Sequence, residues 1–139
     1  MAIKEDIISA AKRVYSKLGA GHEEVIYREA MSMELQDLGF TVKTEMPVAI
    51  DYQTSKGHRI CVGYAKSDLR VEGKGEVAIV ELKATGPLIK EKSTKAKEEM
   101  KEYAQLEKYL AAIGGPLGLL INFPFPPRPE PEVFASDEE

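Results

Sequence analysis

The segment Val77-Ala78-Ile79-Val80-Glu81-Leu82-Lys83 is an apolar run that ends in two charges. Its composition predicts a strand covered on both faces. Residues two apart on a strand share a face, so Glu81 and Lys83 point the same way, about 7 Å apart. Charging such a place is costly unless the groups are paired or hold an ion. Asp68 falls on the preceding strand, on the side away from Ser67, Leu69 and Val71. If the two strands form a hairpin, Asp68 and Glu81 meet across the ladder. A carboxylate pair with a cation between its members supplies the hard oxygen ligands that Mg²⁺ or Mn²⁺ needs in phosphodiester cleavage. Lys83 could then steer hydroxide or stabilise a pentavalent phosphorane. The same spacing suits a plainer arrangement, in which Asp68 and Arg70 face solvent and Glu81 pairs with Lys83 or another lysine.

Two helical pairs add to this set. Gln105 and Tyr109 are four apart and share a face, and Glu24 and Tyr27 are three apart just after Gly21. Glu24 could equally pair with Arg28, and Tyr109 could be ordinary core.

The elements that must position these residues follow from periodicity. Ile3, Ile7, Ile8, Ala11, Val14, Tyr15 and Leu18 recur at helical spacing, and Gly19 stops that helix. A second helix over 23–38 has Ile26, Ala30, Met33 and Leu38 as its apolar stripe and Gly39 as its C-cap. Residues 41–52 read as one β-branched strand interrupted by Pro47, at an edge or a bulge. Residues 53–57 are a turn, 59–71 a second strand, and 72–75 a tight connection into the strand that bears Glu81. Beyond the breaker 84–87, a long helix over 93–113 turns Ala96, Met100, Tyr103, Leu106, Leu110 and Ile113 to the core. A strongly apolar strand over 117–123 follows it. The order ααβββαβ implies an α/β sandwich with a mixed sheet. Five prolines crowd into residues 124–131, and the chain closes on Ser136-Asp137-Glu138-Glu139. That composition predicts a single domain over 1–123 followed by an extended or disordered Pro-rich acidic tail over 124–139.

Composition narrows the function classes. With 139 residues, 43% hydrophobic and 30% charged, the chain reads as one soluble globular domain. No apolar run approaches the ~20 residues that span a bilayer, and the N-terminus lacks a signal-peptide core. Cys61 is the single cysteine, which excludes an internal disulfide and a cysteine-held metal and fits a reducing, intracellular and cytoplasmic setting, the nucleus remaining open. Flanked by Ile60 and Val62, Cys61 is expected in the core. The net charge of −4 argues against non-specific nucleic-acid binding by the whole surface but allows a local basic stripe. Lys90, Lys92, Lys95, Lys97 and Lys101 would form one, unless Glu91, Glu98, Glu99 and Glu102 make the region a solvated, charge-laced helix. His22 and His58 sit beside turns and are too few for zinc. Gly19-Ala20-Gly21 follows a helix and lacks the third glycine of a dinucleotide loop. Ser9, Ser16 and Ser93 have no base pattern beside them.

Together the motifs resemble a known family. Gly21-His22-Glu23-Glu24-Val25-Ile26-Tyr27 is similar to the signature of the GxxExxY group of the PD-(D/E)xK nuclease superfamily. Residues 63–72 resemble its Asp-bearing strand, residues 80–84 its E-x-K strand, and residues 118–123 its closing strand. Gln105 to Leu110 resembles the Q-x-x-x-Y motif of the RecB-like branch. The resemblance covers residues 3–123 in order. It departs where many relatives carry a histidine one turn before the Gln, here Glu102, and where an arginine-containing pair precedes the Asp, here Lys66-Ser67. It implies a restriction-endonuclease-like αβββαβ core and a Mg²⁺- or Mn²⁺-dependent nuclease acting on DNA, or on RNA. By the same resemblance Asp68, Glu81 and the Leu82 carbonyl ligate the metal, Glu24 reaches it directly or through water, and Lys83 positions the nucleophilic water. Gln105 and Tyr109 then contact the nucleic-acid backbone, with Lys95, Lys97 and Lys101 as the lysine path. A catalytically silent nuclease-fold module that binds nucleic acid or a protein is the alternative. A homodimer and a protein partner on the Pro-rich tail stay open, and no membrane is expected.

Overall fold

The computed structural model describes residues 2–86, 101–113, 116–125 and 129–137, apart from the side chains of residues 48, 101, 102, 112 and 113. Two helices, α1 (Ala2–Leu18) and α2 (Glu24–Asp37), precede strands β1 (Thr41–Thr44), β2 (Pro47–Gln53), β3 (Arg59–Lys66), β4 (Leu69–Gly73) and β5 (Glu76–Lys83). Helix α3 (Lys101–Ile113) leads into β6 (Leu117–Asn122) and β7 (Glu132–Ala135). Strands β1, β4, β5, β6 and β7 form a five-stranded sheet in that order, and β2 pairs with β3 alone. Among the described residues only the β5–β6 pair is parallel, so the sheet is mixed, in the manner of a restriction-endonuclease-like fold.

Alternation along the central strands builds two cores. Ala78, Val80 and Leu82 of β5, with Leu119 and Ile121 of β6, pack against Ile3, Ile7, Val14, Tyr27, Met31 and Leu35 of α1 and α2. Ile79 and Leu120 face the other way, onto Tyr103, Leu106, Tyr109 and Leu110 of α3. Strand β6 is buried at every residue, as a central strand covered on both faces must be. Gly118 lets α3 come close: a Cβ there would lie 2.5 Å from Leu110 Cδ1. Gly21, at φ 93°, takes the left-handed backbone that the short link from α1 to α2 requires.

The structure corrects five sequence expectations. The run 41–52 is two strands, because the chain turns at Glu45, in the left-handed region at φ 50°, before Pro47 opens β2. The run 59–71 likewise breaks at Ser67-Asp68. The two breaks face one another through Glu45 N–H donating to the Asp68 carbonyl at 3.2 Å, and there the β2–β3 hairpin leaves the main sheet. On α2 the buried face is Tyr27, Met31, Ser32 and Leu35 rather than the Ile26–Ala30–Met33–Leu38 stripe; Ile26, Met33 and Leu38 are exposed. A four-residue repeat anchored on the tyrosine fixes that face, since the Tyr27 ring stacks on Phe123 at 4.3 Å and its hydroxyl donates to the Gly19 carbonyl at 2.6 Å. Cys61 is exposed, because it lies on the hairpin that has left the core. The tail is not a free extension: β7 pairs with β6, and Phe134 and Ala135 are buried. The prolines carry the chain back to the edge of the sheet, where Glu132–Ala135 supplies an ordinary strand sequence.

The part of the expected helix before Lys101, with Ala96, Met100, Lys95 and Lys97, lies outside the described residues, as do Lys90 and Lys92. Lys101 lies on the first turn of the described helix, and its side chain is outside them too. Among the described residues, no helix is long and apolar enough to cross a membrane.

Candidate active site

The break between β3 and β4 places Asp68 at the mouth of the central sheet. The β4–β5 register pairs Leu69 with Val80, so one further step sets Asp68 beside Glu81. The two acids interlock through each other's strand. Asp68 Oδ2 accepts the Leu82 N–H at 2.7 Å, and Glu81 Oε1 accepts the Asp68 N–H at 3.1 Å. The remaining oxygens, Asp68 Oδ1 and Glu81 Oε2, make no hydrogen bond among the described residues. Burial is the main force on both groups. It raises the Asp68 carboxyl above its ordinary range, against the Leu82 N–H and the charges of Arg28 and Lys83, which lower it. For Glu81, burial and then the neighbouring Asp68 charge push the carboxyl up to about 7. Lys83 and the Asp68 N–H offset part of that rise.

Glu24 and Lys83 stand beside this pair. Lys83 Nζ lies 3.9 Å from Glu24 Oε1, with Glu24 about half exposed. The lysine thus pairs with the helix acid and not with Glu81. Arg28, one turn further along α2, bonds Glu45 at 2.9 Å and also reaches Glu29 at 3.7 Å. No pair joins Glu24 to Arg28 among the described residues. The expected set of Glu24, Asp68, Glu81 and Lys83 is therefore gathered at one end of β5, as an interlocked acid pair and an adjoining ion pair.

The donor chemistry suits a divalent cation in part. Asp68 and Glu81 are two hard oxygen donors whose pKa values are raised chiefly by burial, a cost of carrying negative charge that a cation would relieve. Among the described residues no group of three or more His, Cys, Asp or Glu is placed to hold a metal ion, and Glu24 is engaged with Lys83. The pair fits an ion that keeps several waters, as Mg²⁺ does.

Of the expected nucleic-acid contacts, Gln105 is exposed on α3. Tyr109 is buried, and its hydroxyl donates to the Met46 carbonyl at 3.2 Å, so its side chain serves the core and pins the base of the β2–β3 hairpin. His22 is half-buried and His58 exposed. Three residues here were not singled out from sequence. Arg28 and Glu45 bring a cation and an acid next to Asp68. Asn122, fully buried, accepts the Thr85 N–H at 3.1 Å and donates to the Gly86 carbonyl at 3.2 Å and Glu132 at 2.8 Å. Since Lys83 pairs with Asn122 in the sheet, this amide ties the segment after Lys83 and the first residue of β7 to the site. A lone amide inside the apolar run Leu117–Asn122 is the signal that could have revealed it.

Comparison with known proteins bears on the whole arrangement. No curated protein matches the chain. The crystal structure of SSO0001 matches it at 19% identity with a TM-score of 0.49, covering 96% of this chain and 66% of that one, so this chain spans just under two thirds of that length. The family model described as the PD-(D/E)XK nuclease superfamily matches residues 1–133, which include both interlocked acids, Lys83 and the first two residues of β7. The chain belongs to the PD-(D/E)XK nuclease superfamily.

Proposed function

We propose that this protein is a Mg²⁺- or Mn²⁺-dependent nuclease of the GxxExxY group that hydrolyses phosphodiester bonds in DNA, or in RNA. One observation carries the reading: two half-buried carboxylates are held side by side by the backbone of each other's strand, at a cost that a bound cation repays. Asp68 and Glu81 would hold the ion with the Leu82 carbonyl, and Glu24 would reach it through water. Bound there, the ion supplies Lewis-acid polarisation of the phosphodiester and a more acidic water. The chain's own residues do the rest. The Leu82 and Asp68 N–H groups fix the direction of each carboxylate, and Glu24 holds the Lys83 ammonium at the edge of the site, where it can orient a water. Gln105, Lys95, Lys97 and Lys101 extend the nucleic-acid path.

The test is cleavage of single- and double-stranded DNA and RNA with Mg²⁺ or Mn²⁺. Asp68→Ala, Glu81→Ala and Lys83→Ala should each lower the rate at least ~100-fold. Undiminished cleavage by all three would overturn the assignment. Absence of Mn²⁺ binding by calorimetry near neutral pH, in a normally folded protein, would favour a silent nuclease-fold module that binds nucleic acid or a protein.

A further inference from the structure

The β2–β3 hairpin leaves the main sheet immediately before Asp68 and carries an aromatic, basic face that the fold leaves uncovered. Ile60, Val62, Tyr64 and Lys66 alternate onto one face of β3, and Tyr52, paired with Ile60, joins them. Tyr52 is 58% and Tyr64 71% exposed, with Ile60 and Val62 at 61% and 62%. The other face is anchored by Ala65, which packs against the cluster beneath α3, and Tyr109 holds the base through Met46. The exposed side chains therefore stand on a fixed support.

Charge identifies the occupant. Residues 47–66 contain Lys56, Arg59 and Lys66 against a single acid, Asp51, for a net charge of +2. The whole chain is −4, so the remainder carries −6. A second copy docking through the same face would oppose +2 to +2, whereas a phosphate backbone would be attracted there. Exposed tyrosines with interleaved cations are how proteins hold unpaired bases, stacking each base on a ring while the backbone follows the charges. In a duplex those base faces are already stacked on one another. Tyr64 lies four residues from Asp68, ~13 Å of extended chain, and Tyr52 opposes a residue four positions further out. The track thus ends at the acid pair.

We infer that the β2–β3 hairpin is a single-strand guide, with Tyr52 and Tyr64 stacking unpaired bases and Lys66, with Lys56 at the turn, following the phosphates toward Asp68 and Glu81. This rests on the nuclease reading and gives it a substrate class, a single strand or a single-stranded end or flap. The experiment measures anisotropy of a labelled oligonucleotide of about 12 nucleotides in EDTA, single-stranded and as a duplex, beside steady-state cleavage with Mn²⁺. The wild type should prefer the single strand. Tyr52→Ala and Tyr64→Ala should each raise Kd and KM roughly tenfold, and Tyr→Phe at either position should restore both. If the wild type cleaves but the alanine variants keep its Kd and KM, or if duplex binds as tightly as single strand, the guide is wrong while the nuclease reading stands. If the wild type neither binds nor cleaves nucleic acid, the nuclease reading itself falls. Alanine variants that turn a dimer into a monomer in sedimentation, with nucleic-acid affinity unchanged, would make the face a protein interface and overturn the inference.

Discussion

Glu81 is the residue on which the site's charge balance turns. Its carboxyl is raised by burial and by Asp68 to about 7, from an ordinary value of 4.5. The folded protein thus binds this proton more tightly than the unfolded chain does. Stability from protonated Glu81 is complete below pH 4.5 and is lost as pH rises to about 7, the reverse of a salt-bridged acid. The separation corresponds to roughly 3 kcal/mol. Chemical denaturation of metal-free protein should show the unfolding free energy falling across that window relative to Glu81→Gln, whose own profile lacks that loss. A constant difference between the two would mean that the Glu81 charge is not buried. A divalent cation removes the penalty from the charged side. At pH 7.5, Mn²⁺ at about a hundred times its Kd should raise Tm by roughly 5–10 °C in the wild type and leave Asp68→Asn and Glu81→Gln nearly unmoved. Equal shifts in all three would place the ion elsewhere. The adjacency of Asp68 and Glu81 was legible in the sequence because an apolar strand with two terminal charges, reached by a short turn, fixes which residues face each other. The pairing of Lys83 with Glu24, and the approach of Arg28 and Glu45 to Asp68, were not. They depend on how α2 lies on the sheet, and local spacing carries no information about that.

Elements were read well where their period was pure and poorly where two strands abut. Helix α1 shows a clean 3.6-residue pattern and strand β5 an unbroken apolar run, and the expected residues are buried apart from Ile8 and Leu18, which are half-buried. A run of β-branched residues, however, reads the same whether the chain continues or turns out of the sheet, so the breaks at Glu45 and Ser67-Asp68 were hidden. On α2, exposed Ile26, Met33 and Leu38 compete with the true face of Tyr27, Met31 and Leu35, and only the stack of Tyr27 on Phe123 decides between them. The tail misled through composition, since its prolines outnumber the four residues of β7. Those four residues nevertheless close the sheet: Phe134 is 8% exposed and belongs to the cluster beneath α3. Phe134→Ala should therefore cost about 3 kcal/mol of unfolding free energy, and removal of everything after Phe125 should cost more. Urea denaturation measures both, and a truncated protein as stable as the full chain would return β7 to a dispensable appendage.

Across the whole molecule, the mixed sheet with helices on both faces was foreseeable from the element order, because a hairpin meander followed by a helical crossover admits few other arrangements. Its charge layout was not foreseeable, since a net charge averages over surfaces that only the fold separates. The hairpin track contributes two cations, Lys56 and Lys66, and residues 95–101 contribute Lys95, Lys97 and Lys101. Each phosphate neutralised on a single strand adds about −0.7 to the slope of log K against log salt, so two contacts give about −1.4, three about −2 and five about −3.5. Both groups lie on the strand's path in the proposed function, so the wild-type slope should be near about −3.5. Replacing the hairpin pair with glutamine should bring it to about −2, and replacing the lysine trio to about −1.4, without the repulsion that glutamate would add. Anisotropy titrations between 50 and 200 mM salt, a range over which such slopes are well expressed, provide the measurement. A group whose removal leaves the slope unchanged touches no phosphate. For the hairpin pair that result would end the charge argument for the guide, and for Lys95, Lys97 and Lys101 it would leave a solvated, charge-laced surface.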